Sequence, residues 1–544
     1  MTHVRVLVSV LAALLLTTLA ITPSAAEQKG TLVVALDTLG GQTMDPILES
    51  RAPHAHYQAP IFDALIGFDT EKGGIGPGVA KRWELASDGL SWTFYLRDDV
   101  KWHNGDPLTA HDVKFSLERT MSKDSMASRA ASLRRNVKSI EVLDDYTVRV
   151  NTNGVQVHFP ASLSRAVFQE GQLMPKKYIE SVGVEEFRRH PVGSGPWKFV
   201  ENVPGDYVEY EAVEGPHWRG TPSFKRLRIL LVPEESTRVA MVRTGEAAIA
   251  SVSPESIREI EGSGLKLVSV PGTMQAVYEL WGTYREENKD SPLADIRVRE
   301  ALSLAIDRQQ IIDHVMYGQA RMPLPWAVYR YSVDSDIQRW ENWAKESLRY
   351  DPERARALLA EAGYPDGFEM KFANTALPGT PFMVQIGQVL ADFWTKIGID
   401  VKLKHYEWGA FQPIYRGNQD AIAGGGSMFR TAGRPIAAPR YASAFTSTSR
   451  IHHFGDTEEC DEFCKNFDEL YVKVSTEKNP AKRAELTDKM IQTVADTWKA
   501  VPVIEGMGYW AVNPEIVGAF EPIPGRHEFG DVFQRIPRAE QKSW

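Results

Sequence analysis

A chain of 544 residues with 43% hydrophobic and 24% charged side chains exceeds what one hydrophobic core organises, and its make-up excludes a disordered or fibrous protein. Its formal charge of -9 leaves no basic excess to neutralise phosphates, so no nucleic acid is expected as a partner. Beyond the N-terminal run no apolar segment is long enough to span a bilayer, so no stable membrane insertion is expected.

The chain opens with Arg5, an apolar run from Val6 to Ile21, and Pro23-Ser24-Ala25-Ala26 ahead of Glu27. Small residues at Ser24 and Ala26 fit a signal-peptidase site, so residues 1–26 are expected to be a signal peptide cleaved after Ala26. A membrane anchor is the alternative, but the run falls short of the ~20 apolar residues a spanning helix needs. No cysteine stands near the cleavage point to carry a lipid, so the mature protein is expected in a periplasm.

Thr31 to Leu36 is a short β-rich apolar run suited to a buried strand, followed by the polar, Gly-rich loop Asp37 to Pro46. Open α/β sheets put ligands where a strand gives way to a loop, which nominates Thr43 and Met44. Trp92 to Leu96 and Tyr146 to Val150 alternate as strands, and Thr109 with Asp112 forms a capping box ahead of a helix through Val113 and Leu117. Gly193, Gly195 and Pro196 mark a turn before Trp197 and Phe199. Arg228 to Val232 is expected to be a strand and Ser236 to Arg243 a helix. Asp307 with Gln310 fits a second capping box; Asp351, Pro352 and Gly363 bracket another helix.

Residues 368–404 spell out a βαβ unit. Phe368, Met370 and Phe372 alternate; Ile386, Leu390, Phe393 and Ile397 recur at helical spacing; Ile399, Val401 and Leu403 alternate again. Parallel strands joined by a crossover helix put the loop Asn374 to Pro381, with Thr375, at a carboxyl edge. From Val501-Pro502-Val503-Ile504 the chain resumes strand-like text. The two cysteines, Cys460 and Cys464, would form a disulfide in an oxidising compartment. A metal site completed by His452 and His453 is the alternative, although the spacing is not that of a metal finger, and no metal or other cofactor is expected.

Several motifs carry a resemblance: Met44-Asp45-Pro46, IFDALIGFD from Ile61, GPGVAKRWELASDGLSWTFYLRDDVKWHNGDPLTAHDVKFSL ending at Leu117, VGSGPWKF from Val192, PLADIRVREALSLAIDRQQII from Pro292, and YDPERARALLAEAGY from Tyr350. Together they resemble the family 5 extracellular solute-binding proteins, receptors that deliver peptides, nickel complexes, opines and sugars to ABC importers. The resemblance implies an α/β, two-lobed periplasmic binding protein fold (type II, cluster C) with an additional subdomain in the first lobe. On that pattern residues 27–66, 190–271 and 500–544 form lobe I, 67–189 its subdomain, and 272–499 lobe II. It also implies a monomer that traps a small-molecule or peptide solute between the lobes and presents it to an inner-membrane ABC permease complex.

Peptide-binding members carry an aspartate for the peptide ammonium group after a small-residue strand. At that place this chain has Ala421-Ile422-Ala423-Gly424-Gly425-Gly426-Ser427-Met428-Phe429-Arg430, with no aspartate. Between Arg416 and Arg450 stand five arginines (416, 430, 434, 440, 450) and one acid, Asp420. A guanidinium fits carboxylate or phosphate bidentately and keeps its charge when desolvated, so the cleft is expected to take an anionic group through Arg430 and Arg434. The glycines, Gly425 and Gly426 among them, would let the backbone approach the ligand alongside Ser427, Met428 and Phe429. Trp281, Tyr284, Trp326 and Tyr509 are candidate rings for apolar parts of the solute, whereas Trp408 is expected to be framework. No hydrolase elbow, phosphate-binding loop or zinc-protease motif is present, so an enzyme is not expected.

Overall fold

The computed structural model describes residues 30–540, apart from segments at 49–51, 70–73, 128–129, 165–170, 282–287, 378–379, 381, 417–421, 423, 448–461 and 526–531. The expected signal peptide with its cleavage point, Tyr284, Arg450, His452, His453 and Cys460 lie outside the described residues.

The first strand, β1 (Thr31–Leu36), is the expected TLVVAL run. A small domain then follows, with a ribbon of β2 (Ile66–Phe68) and β3 (Ile75–Pro77) and an antiparallel sheet of β4 (Ala80–Leu85), β5 (Ser91–Leu96), β6 (Val137–Asp144) and β7 (Thr147–Thr152) in the order 4-5-7-6. Against that sheet packs the helix Ala110–Thr120, whose capping box forms as expected: Asp112 Oδ2 accepts from the Thr109 N–H at 2.9 Å. The chain returns through β8 (Trp197–Val203), β9 (Tyr207–Ala212), β10 (Arg226–Leu231) and β11 (Ile249–Val252) before the sixteen-residue β12 (Lys266–Trp281). The βαβ unit is present as β13 (Glu369–Ala376), the helix Met383–Thr395 and β14 (Asp400–Glu407), the two strands parallel with Glu369 opposite Asp400. Then come β15 (Gly425–Ala432) and the thirteen-residue β16 (Ala500–Val512).

Asp351 caps the helix Pro352–Glu361 by accepting from the Arg354 N–H at 3.0 Å. Asp307 accepts from the Gln310 N–H at 2.9 Å, but no return bond from the Gln310 side chain accompanies it, so the second capping box is only half formed. A single helical turn there gives way to a π-type segment, Ile311–Val315.

Ten strands form one sheet in the order 14-13-15-12-16-11-1-10-9-8, with β12 and β16 at its middle. These two are antiparallel, from Lys266 opposite Val512 to Glu279 opposite Ala500, and they carry the chain twice between the lobes. Their ladder is interrupted twice: Pro271 faces Met507 and Met274 faces Gly506, so Gly272 and Thr273 bulge out, and Ala276 faces Ile504 while Val277 faces Pro502, so Val503 is left over on β16. Gly272 has φ +72, a conformation that favours glycine.

Separate cores lie on the two sides of this crossing. One gathers Leu32, Val34, Trp197, Ile229 and Trp510; the other gathers Tyr278, Phe372, Met428, Leu390 and Trp394. The small domain has a third, built on Phe94, Trp102, Val113 and Val148. Among the described residues no helix is long and apolar enough to cross a membrane.

Candidate functional site

Strand direction locates the cleft. β1, β10 and β11 are parallel to one another, and β11 and β12 both run antiparallel to β16, so the carboxyl ends of the first-lobe strands point at the second lobe. β15 runs antiparallel to β12 and parallel to β13, so the second-lobe strands point back. Two carboxyl edges therefore face each other across the bulge at Gly272, the place where open α/β sheets hold ligands.

On the first-lobe side the loop after β1 is tightly fixed. The Gln42 amide donates to Asn202 Oδ1 at 2.7 Å and Val203 O at 2.8 Å; Thr43 O accepts from Gln58 Nε2 at 2.8 Å. Met44 is 1% exposed and packs in the first-lobe core, so it is a core residue and not the ligand contact expected. The fully buried Asp45 carboxylate takes both Arg119 nitrogens at 2.7 Å and Arg188 Nε at 3.1 Å, tying the loop to two helices of the small domain.

The second-lobe side corrects several expectations. A Cβ on Gly426 would stand 2.3 Å from the Tyr278 ring, and one on Gly425 would stand 2.3 Å from Lys371 O. Both glycines make room for a ring and a neighbouring strand, not for a ligand. Met428 is core. Trp281 is wholly buried, with Nε1 donating to Ser427 Oγ at 2.8 Å, so these two satisfy each other. Trp326 donates to Glu279 Oε1 at 3.0 Å and meets Tyr441 and Phe445 edge-on, and Tyr509 OH donates to Gln319 O inside a first-lobe core. Rings satisfied in this way are structural, because each polar atom already has its partner in the fold. Phe429 and Trp408 pack together at 6.4 Å, as framework.

Other expected residues reach the edge. Thr375 stands at the carboxyl end of β13, fully buried, and its hydroxyl has no hydrogen-bond partner among the described residues. Thr431, which the sequence does not nominate, is next to last in β15 and sits opposite Gln275. Arg430 shares the opposite face of β15 with Met428, and Arg434 lies just past the strand; both are half-buried. At the crossing, Tyr331 OH donates to Gly272 O at 2.9 Å, its ring stacks on Tyr329, and Tyr329 OH donates to Thr431 O at 2.7 Å. Gly433 N donates to Thr273 O and Gly525 N to Pro271 O, so both flanks of the bulge are held.

Polar residues inside the buried crossing strands were not anticipated. Burial pushes the Glu279 carboxyl up to about 7, against the Trp326 hydrogen bond and the charge of Arg440. Burial also raises Glu505, which pairs with Arg330 at 2.9 Å. Their signal was present as isolated Gln275, Glu279 and Glu505 in otherwise apolar runs. Cys464 is buried and disulfide-bonded at the start of the helix Glu462–Thr476.

The description "Bacterial extracellular solute-binding proteins, family 5 Middle" matches residues 74–447, more than half of the chain. The chain belongs to this family of ABC substrate-binding proteins. Among its relatives, the heme-binding protein A of Haemophilus influenzae is 28% identical over 512 residues, covering 87% of this chain and 86% of that one. The dipeptide-binding protein of Escherichia coli is 24% identical over 544 residues, covering 95% and 97%. The ABC transporter substrate-binding protein CtaP of Listeria monocytogenes superposes with a TM-score of 0.79 at 20% identity, covering 94% of this chain and 100% of CtaP, which shows the shared two-lobed fold.

Proposed function

We propose that this family 5 protein acts in the periplasm, capturing a small anionic solute between its lobes and handing it to an inner-membrane ABC permease. An opine, an acidic or modified peptide or a sugar acid would fit. One observation carries the reading: at Ala421 to Arg430, where peptide-binding members have their aspartate, this chain has none, and from Arg416 to Arg450 five arginines (416, 430, 434, 440 and 450) stand against one acid, Asp420. A cation there repels a peptide's ammonium group and attracts carboxylate or phosphate. Closure needs only that the solute favours the closed state over the open one, and no chemistry on it.

The second reading is a dipeptide or oligopeptide carrier, favoured by the near full-length match to the dipeptide-binding protein. Native mass spectrometry of the mature protein, followed by denaturing release of what co-purifies, separates the two. A single small anion supports the anionic reading; a ladder of peptide masses replaces it with the second.

A further inference from the structure

The helix Ala438–Phe445 leans over the face of β15 that carries Ser427, Phe429 and Thr431, with Tyr441 and Phe445 against the Trp326 indole. Arg440, in its first turn, is half-buried and held on three sides. Its guanidinium carbon lies 4.8 Å from the centre of the Trp326 ring, Nε donates to Thr431 Oγ1 at 3.2 Å, and Nη1 donates to Ser443 Oγ at 3.1 Å. Both hydrogen-bond partners are neutral hydroxyls. Among the described residues Arg440 has no carboxylate at ion-pairing distance, and Nη2 has no partner. Glu279 feels its charge but is committed to Trp326, and burial holds it partly protonated near neutral pH.

A half-buried guanidinium without a counter-ion is costly, and charges removed from water are ordinarily paired. Here the side chain is fixed in advance, so little conformational entropy remains to be lost when an oxyanion meets its fork. Its anchor, Thr431, lies at the carboxyl edge of β15, one residue before Ala432, which pairs with Met274 beside the hinge bulge. Arg430, by contrast, stands on the opposite face of the strand.

We propose that Arg440, tethered by Thr431 and Ser443 and stacked on Trp326, is the residue that receives the solute's oxyanion, a carboxylate or phosphate. This rests on the anionic reading above and names the residue that carries it. Inorganic sulfate serves as the probe, with sodium chloride at equal ionic strength as the reference. The change in Tm is followed for the wild type, R440Q, R440K, R430Q and R434Q, each against its own baseline.

The expected result is a saturable rise with sulfate in the wild type, with half-saturation moved up about ten-fold or more in R440Q, further than in R430Q or R434Q, and partly restored in R440K. Should R440Q not fold, R440K decides, because it keeps the stem on Trp326 and loses the planar fork; half-saturation unchanged in R440K then overturns the assignment. A sulfate response kept in R440Q but lost in R430Q or R434Q overturns Arg440 and leaves the anionic reading standing. No saturable response in any protein overturns both.

Discussion

Among single residues, Glu279 is the most exposed to test, because its environment sets a measurable pH dependence. Burial outweighs both the Trp326 hydrogen bond and Arg440 and lifts the carboxyl to about 7, so the fold holds a proton there that the unfolded chain releases near 4.5. Its contribution to stability is therefore complete below pH 4.5 and is lost as pH rises to about 7 and beyond. Replacing Glu279 with Gln keeps the shape and the acceptor for Trp326 Nε1 and removes the titration. Urea unfolding at pH 4 should give similar values for both proteins, whereas at pH 8 E279Q should be the more stable, by up to about 3 kcal/mol. Asp334, likewise pushed up by burial to about 6, adds its own slope to both proteins and cancels in the difference. Equal stabilities at pH 8 would mean that Glu279 is ionised without penalty. Asp45 is a fully buried carboxylate held by both Arg119 and Arg188. Asp45→Asn should cost about 3 kcal/mol in the same assay.

At the level of elements, the crossing pair β12 and β16 carries the chain between the lobes through a backbone bulge at Gly272. Gly272 sits at the first of two breaks in the ladder, and a Cβ there would lie 2.7 Å from the Tyr331 ring as well as requiring an L side chain at φ +72. Gly272→Ala is expected to lower stability by about 1 to 2 kcal/mol, with the loss recovered in part when Tyr331→Ala removes the clash. Strictly additive losses would show that the ring and the glycine do not share the space. Much of this layer was legible in advance. Alternation exposed β5, β7, β13 and β14, and Asp351-Pro352 with Gly363 gave both ends of a helix, because periodicity and caps are local properties of the chain. The cleft was legible only in outline. Strand followed by loop pointed to the edges where β1 and β13 end, yet Trp281, Trp326, Tyr509, Met44 and Gly426 lie buried in the fold, since a ring or glycine at an edge looks alike in sequence whether it faces solute or core. Arg440 was one of five arginines in the text. Its distinction comes from Thr431, nine residues away, and Trp326, more than a hundred away, and no local pattern encodes either.

For the whole molecule, the small domain does more than decorate the first lobe, because it reaches across to the second at a point remote from the hinge. Val157 N donates to Ser475 O at 3.2 Å, and Lys478 Nζ donates to Ser87 O. Gly89 lies so close to the Lys478 stem and Val155 that an added Cβ would meet both at 3.0 Å. Nearby, burial and then the charge of Arg483 on the second lobe push the His158 imidazole down to about 4. These contacts join segments more than three hundred residues apart, so in the closure proposed above they would bear on the balance between open and closed forms and not on the folding of either lobe. The balance is shifted by differential stabilisation alone. Lys478→Ala should therefore leave Tm nearly unchanged while enlarging the radius of gyration measured by small-angle scattering. For His158 the sign follows from a depressed value: the seam is strongest above pH 6.5 and weakens as pH falls through 6.5 toward 4, where protonation would set a cation beside Arg483. Wild-type protein should then expand between pH 7.5 and 5, and His158→Gln, which cannot take up that proton, should expand less. Scattering curves that superpose for wild type and Lys478→Ala at both pH values would remove the seam from the closure equilibrium and leave the hinge and the solute to set it.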